Sequence, residues 1–288
     1  MNVAFLGLGK FGQAIASLVE YNGGTYDFAE PSRKPLLSQH ADMLFLTLPT
    51  QFVRTAIMAN GEFISDETII VNCSKGIEEG THLMVNQIVR SLGRYPNYYS
   101  LIGPSFAEGI VAKDPTVVSL GYKKEAHVKT ICKLLETPYF KIEPSKGYRA
   151  LELASALKNL YAITCGYAQG LGLGPNTRVR IITMALDEFT VLAKAMHFAD
   201  YDVLAHGVVG DLVLTCSSEL SRNFQYGLGL AKGDSDLGGH TVEGYYTSHS
   251  INQIAFEHKV KLPLAELTSN IIAGKVKDIA AFQEFLVQ

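Results

Sequence analysis

The chain has 288 residues, 47% of them hydrophobic and 18% charged, and carries a formal net charge of -3. That composition excludes a disordered chain, and the charge excludes a broad basic face for nucleic acid or anionic membrane while leaving room for a local phosphate site. A length within the ~250 to 300 residues at which single cores stop growing predicts two domains.

Val3–Leu6 is a short, continuous apolar run, the pattern of a strand buried on both faces of a parallel sheet. "GLGKFG" follows, with Gly7, Gly9 and Gly12 in GxGxxG spacing. Phe11, Ala14, Ile15, Leu18 and Val19 then recur at helical spacing until "NGG" at 22–24. In this strand, turn and helix context Gly7 permits the tight turn, Gly9 the approach of a pyrophosphate, and Gly12 the packing of helix on strand. A dinucleotide, NAD or NADP, is the ligand the pattern predicts. After a second strand at 25–29, Asp27 and Glu30 suit the ribose hydroxyl of NAD, whereas Arg33 and Lys34 suit the extra phosphate of NADP. Solvated charges at a strand end would look the same.

Further strands are predicted at 41–49, 67–74, 98–103, 116–121 and 139–143, with helical segments between several of them. Lys75 follows the fourth strand, and Gly103 and Ser105 follow the fifth, at the edge where open α/β sheets bind ligands. After "PSKG" at 144–147 the pattern turns helical: 147–169, 176–197, a segment near 222–232, and two or three helices from 241 onward. The apolar run at 208–216 fits either a buried helix or a strand. The expected fold class is therefore α/β. A Rossmann-like, mostly parallel sheet domain spans 1–146, followed by an all-helical substrate-binding domain at 147–288.

In "LASALKNLYAI" at 153–163, Lys158 and Asn159 interrupt an apolar helical pattern. Ala154, Ser155, Tyr161 and Ala162 lie three and four positions from Lys158, and none is a carboxylate, so its partner must come from elsewhere in the fold. Asp211, Thr215, Ser221, Arg222 and Asn223 gather ahead of another helical pattern, where Arg222 and Asn223 suit a phosphate. Ordinary capping by Ser221 uses the same kind of residues.

Cys73, Cys132, Cys165 and Cys216 are far apart and make no metal-ligand spacing, which predicts reduced thiols and no metal. The apolar start lacks a basic leader and no run reaches the ~20 apolar residues of a membrane span, so a cytoplasmic protein is expected.

Together these stretches resemble the bacterial type of NAD(P)-dependent glycerol-3-phosphate dehydrogenase. "GLGKFG", "SKGIE", "GPSFA", "ALKN", "GDLVLTC", "SRN" and "VEGY" occur in that family's order with similar separations. The resemblance implies interconversion of dihydroxyacetone phosphate and sn-glycerol 3-phosphate, with NAD or NADP as cofactor and glycerol phosphate supplied for phospholipid synthesis. It implies Lys158 as catalytic acid/base, helped by Lys75, with Asp211 and Thr215 binding substrate or holding Lys158. Gly103, Ser105, Asn159, Ser221, Arg222 and Asn223 match substrate contacts, Arg222 also reaching the cofactor. Lys10, Phe11, Arg33, Ala107 and Glu243 match cofactor contacts, alongside the three glycines and Lys75. The expected partners are the two phosphorylated substrates, with no nucleic acid and no membrane span; a homodimer is left open. Three departures stand out: the segment from Ser32 to Ala41 is much shorter than the family's, Met184 replaces the usual arginine after "IIT", and the match weakens after Ser248. Two alternatives remain, a ketopantoate reductase-like enzyme and a non-catalytic dinucleotide sensor.

Overall fold

The computed structural model describes residues 1–31, 33–93, 95–198, 200–234, 241–276 and 278–287. Its first part alternates strands and helices: β1 (Val3–Leu6), α1 (Lys10–Tyr21), β2 (Tyr26–Ala29), β3 (Met43–Leu46), α2 (Val53–Ala59), β4 (Ile69–Asn72) and α3 (Val85–Leu92). β5 (Tyr98–Ile102), α4 (Ala107–Val111), β6 (Thr116–Tyr122), α5 (Val128–Leu135) and β7 (Phe140–Ser145) complete it. The seven strands form one sheet in the order β2-β1-β3-β4-β5-β6-β7, parallel except between β5 and β6. β1, β3 and β4 are buried at every position, which is why their sequences read as unbroken apolar runs. Residues of alternate orientation feed two cores: Val3, Phe5 and Phe45 pack with α1 and α5, whereas Ala4, Leu6 and Leu44 pack with α2 and α3.

The chain leaves β1 for β2 on one side and then crosses to β3 on the other, so the carboxyl ends of β1 and β3 form the switch point where such sheets bind ligands. The expected strands at 41–49 and 67–74 are shorter than their apolar runs, because Thr47, Cys73 and their neighbours already belong to the loops at that edge. Ser32 lies outside the described residues. The described part of the short connection to β3 contains no helix; Glu30 and Lys34 close a turn by a backbone bridge, and Leu37 reaches the core.

Among the described residues the second part is helical: α6 (Tyr148–Gly170), α7 (Pro175–Ala195), α8 (Asp211–Ser217), α9 (Arg222–Ala231), α10 (Glu243–Glu257), α11 (Pro263–Ile272) and α12 (Ile279–Val287). α6 is buried from Ala150 to Ala168, since α7, α8, α9, α10 and α11 surround it and its first half meets β5 and β6. The ambiguous run at 208–216 resolves into a π-helical turn, His206–Gly210, leading into α8. Met184 on α7 packs at the edge of this core. No described helix is long and apolar enough to cross a membrane. All four cysteines are free, and Cys132 alone of them is only half-buried.

Candidate active site

The glycine loop connects β1 to α1. Gly7 has φ +86°, and a Cβ there would come within 2.8 Å of the Leu48 side chain; one on Gly12 would come within 2.7 Å of the Gly7 carbonyl oxygen. These two glycines are required by the protein's own packing. A Cβ on Gly9 would meet nothing within 4 Å. Gly9 is also the N-cap of α1, which has no side-chain cap and no acid in its first turn. The open space at Gly9 and the free N-H groups fit the pyrophosphate of a dinucleotide.

At the β2 end the charged residues divide into two pairs, one built on the buried Asp27 and one at the edge. Asp27 faces inward: its Oδ1 accepts from Lys34 and from the Phe28 N-H at 2.8 Å, and its Oδ2 accepts from the Ser38 N-H at 2.6 Å. Burial raises its carboxyl pKa, but these hydrogen bonds win and hold it below the ordinary value. Asp27 and Lys34 thus satisfy each other. Glu30 and Arg33 remain at the edge, 3.3 Å apart, with the guanidinium 5.4 Å from the centre of the Phe28 ring.

Lys158 finds its partner across the helical core. Its Nζ donates to Asp211 Oδ1 at 2.6 Å and to Thr215 Oγ1 at 2.8 Å, and Thr215 in turn donates to the Asp211 carbonyl at 2.6 Å. Lys75 Nζ donates to Asp211 Oδ2 at 2.9 Å and reaches the Gly103 carbonyl at 3.4 Å. Lys158 and Asp211 are 6% and 1% exposed. Burial draws the Lys158 ammonium down from 10.5 to about 7; Asp211 opposes that and Lys75 reinforces it. The π-helical turn positions Asp211, anchored where the Gly207 N-H donates to Ser119 Oγ at 3.0 Å. Such turns break the regular ladder and often mark functional sites.

The other candidates surround this trio. Ser105 Oγ donates to the Gly103 carbonyl at 3.0 Å. The Phe11 ring centre lies 5.8 Å from Lys75 Nζ, joining the glycine loop to the lysine pair. Ser221 caps α9 by accepting from the Phe224 N-H at 3.3 Å, as a capping role requires, and Arg222 beside it is exposed. Asn223 Oδ1 accepts from the Gly244 N-H at 2.8 Å, tying α9 to the start of α10. Asn159 is buried next to Lys158 on α6. Lys10 and Glu108 form an exposed pair at 3.6 Å, beside Ala107 at the start of α4.

Glu243 bridges the two parts of the chain. Its Oε1 accepts from the Thr50 N-H at 3.1 Å, while its buried Oε2 has no hydrogen-bond partner among the described residues. Burial pushes its carboxyl up to about 7, against the pull of the Thr50 N-H and Arg222. A Cβ on Gly76 would collide with that free oxygen, so the glycine after Lys75 lets the carboxyl approach. Sequence reasoning missed Thr50, whose buried Oγ1 is also unpartnered, and two buried acids, Glu152 and Glu188. Glu188 accepts from Tyr161 at 2.6 Å and from the first N-H groups of α11. Among the described residues no group of His, Cys, Asp or Glu could hold a metal ion. A cavity of about 310 Å³ lined by Arg90, Lys123, Lys146 and Arg149 contains none of the candidate residues.

Comparison with known proteins agrees with this architecture. Residues 148–283 match the model of the NAD-dependent glycerol-3-phosphate dehydrogenase C-terminus, and residues 36–128 that of the N-terminus. The glycerol-3-phosphate dehydrogenase [NAD(P)+] of Lawsonia intracellularis is 34% identical over 253 residues, 85% of this chain and 71% of that protein. The protein of the same name from Protochlamydia amoebophila is 32% identical over 97% of this chain and 95% of its own length. A crystal structure of glycerol-3-phosphate dehydrogenase from Coxiella burnetii shares the fold with a TM-score of 0.87, at 24% identity, over 100% of this chain and 99% of that one.

Proposed function

Because this chain belongs to the NAD-dependent glycerol-3-phosphate dehydrogenase family, we propose that Lys158 is the acid/base of the family's reaction, the interconversion of dihydroxyacetone phosphate and sn-glycerol 3-phosphate. The enzyme is an oxidoreductase using NAD or NADP. The observation that carries the lysine assignment is its burial against Asp211 and Thr215, which puts a proton donor with a pKa of about 7 at the junction of the two parts of the chain. A donor poised near the working pH exchanges protons in both directions.

Gly7, Gly9 and Gly12 would hold the cofactor pyrophosphate, with Phe11 and Glu243 nearer the lysine pair. Bound there, the nicotinamide supplies or accepts the hydride at C2 of the substrate. In reduction Lys158 gives its proton to the C2 oxygen as negative charge develops, and Lys75 stabilises the same oxygen electrostatically. In oxidation neutral Lys158 takes that proton back. Asp211 keeps both amines in place, and Thr215 fixes the direction of Lys158. Arg222 and Asn223 at the start of α9, with Ser105 and Gly103 opposite, bind the phosphate and hydroxyl groups. The division of the chain falls at 146/147, between β7 and α6, so the site lies between a cofactor domain and a substrate domain. The product serves phospholipid synthesis in the cytoplasm.

The test is consumption of NADH and of NADPH, followed at the nicotinamide absorbance, with dihydroxyacetone phosphate as substrate and ketopantoate as control. Turnover with the phosphorylated ketone that disappears in Lys158→Ala supports the reading. Turnover with ketopantoate alone would replace it, and cofactor binding without turnover on either substrate would favour a sensor.

A further inference from the structure

Glu152, on the same helix as Lys158, is 3% exposed, yet no cation pairs with it among the described residues. It accepts five hydrogen bonds, all from neutral groups. Tyr98 OH, Ser100 Oγ at 2.7 Å and Asn72 Nδ2 at 3.2 Å donate to Oε1; the Asn86 N-H at 3.0 Å and Asn86 Nδ2 at 2.7 Å donate to Oε2. These donors come from β4, β5 and α3. Asn72 and Ser100 are register partners on adjacent strands, so their side chains project from one face of the sheet toward α6.

A buried carboxylate is costly, and well-packed apolar residues often serve stability as well or better. What this one adds is directional registry. Asn72 ends β4, its Oδ1 accepts from the Ser74 N-H at 2.9 Å, and Lys75 is the next residue. Lys158 lies six positions beyond Glu152 on α6, a rise of about 9 Å. The same carboxylate therefore holds the strand end that leads to Lys75 and the helix that carries Lys158. We propose that Glu152 is a positioning residue that fastens α6 to the ends of β4 and β5 and so sets how Lys75 and Lys158 meet on Asp211. It touches neither lysine. This role rests on the acid/base reading of Lys158 for its effect on turnover, but not for its effect on geometry.

Two readouts separate these dependences: kcat for reduction of dihydroxyacetone phosphate, and titration of Lys158 followed by NMR of the cofactor-free protein with isotope-labelled lysine. With Glu152→Ala the Lys158 midpoint moves up by about one unit or more, because a loosened helix admits water and burial is the main cause of the lowered value. kcat falls by about 10²-fold, the scale of a misplaced catalytic group. Glu152→Gln restores part of both: its oxygen keeps the three bonds from β4 and β5, and its amide can donate to a turned Asn86 Oδ1, while the Asn86 N-H loses its acceptor. If Glu152→Ala does not fold, Tyr98→Phe with Ser100→Ala removes two donors to Oε1, and is expected to move both readouts in the same direction by less.

A folded Glu152→Ala protein, or failing that the double variant, with an unmoved Lys158 midpoint overturns the positioning role. So does a Glu152→Gln protein as impaired as Glu152→Ala, because that variant keeps the three bonds that tie α6 to β4 and β5. A wild-type protein inactive on dihydroxyacetone phosphate removes the proposed reaction, while the Lys158 titration still decides the geometry.

Discussion

Lys75 and Lys158 share one carboxylate: Asp211 accepts from Lys158 through Oδ1 at 2.6 Å and from Lys75 through Oδ2 at 2.9 Å. The anion offsets the repulsion between two ammonium groups held in a nearly dry site. Asp211→Asn removes that offset and turns one amide hydrogen toward a lysine. The protonated form of Lys158 is then disfavoured further. Reduction of dihydroxyacetone phosphate at neutral pH is expected to fall by about 10²-fold or more, the scale of a lost general acid. Steady-state assays with Asp211→Asn and Lys158→Ala check this, with cofactor binding followed by fluorescence. An Asp211→Asn enzyme of normal kcat would mean that the carboxylate is only a structural tie.

The two directions of the reaction are expected to depend oppositely on pH. Lys158 titrates at about 7 rather than 10.5, so its protonated fraction falls as pH rises through about 7. With Lys158 as the proposed acid/base, reduction would need the protonated amine and decline above that point, and oxidation would need the neutral amine and rise. Folding stability follows the same group. Between about 7 and 10.5 the unfolded chain binds this proton and the folded one does not, so the cost of burying the charge is present below about 7 and relieved as pH rises. Profiles of kcat in both directions test the assignment. Parallel profiles would rule out Lys158 as the shared acid/base.

Arg222 starts α9 as an exposed guanidinium beside the Ser221 cap. A phosphate there would gain charge-assisted hydrogen bonds and the free N-H groups of the helix start. Arg222→Ala is expected to raise KM for dihydroxyacetone phosphate by roughly 10 to 150-fold, the range of one hydrogen bond to a charged group. KM for unphosphorylated dihydroxyacetone should barely change. Equal losses on both ketones, measured side by side, would show that the arginine serves the fold and not the phosphate.

Much of this site was legible because its signals are local. The glycine loop could be read from spacing and flanking periodicity, and Lys158 from a charge lacking a carboxylate within one turn. The Lys158–Asp211 contact joins α6 to α8 and depends on a π-helical turn that no periodicity announces. Glu152 was hidden for the opposite reason. Arg149 stands three positions before it, so "RALE" reads as an ordinary surface pair. The signal that could have revealed it lies in the strands, where Asn72 and Ser100 interrupt otherwise apolar or aromatic runs. Asp27 was ambiguous because a carboxylate near the end of the second strand has the right chemistry for ribose, and only the fold shows that it accepts from Lys34 and the Ser38 N-H.

The glycine loop separates packing from binding within six residues. On Gly12 an added methyl would meet the Gly7 carbonyl oxygen at 2.7 Å and Thr47 Oγ1 at 2.9 Å, so α1 must move off the sheet. On Gly9 it meets nothing within 4 Å, and the backbone at φ -69°, ψ -173° suits alanine. Gly12→Ala is therefore expected to destabilise the protein by about 1 to 3 kcal/mol, the usual cost of overpacking. Gly9→Ala should leave Tm nearly unchanged and weaken the cofactor by about tenfold or more, since the methyl would occupy space that the pyrophosphate needs. Thermal melts and cofactor titrations on both variants give the comparison. A Gly9→Ala protein that binds NADH and NADPH normally would place the pyrophosphate elsewhere, because the only neighbour left for that methyl to displace is the ligand.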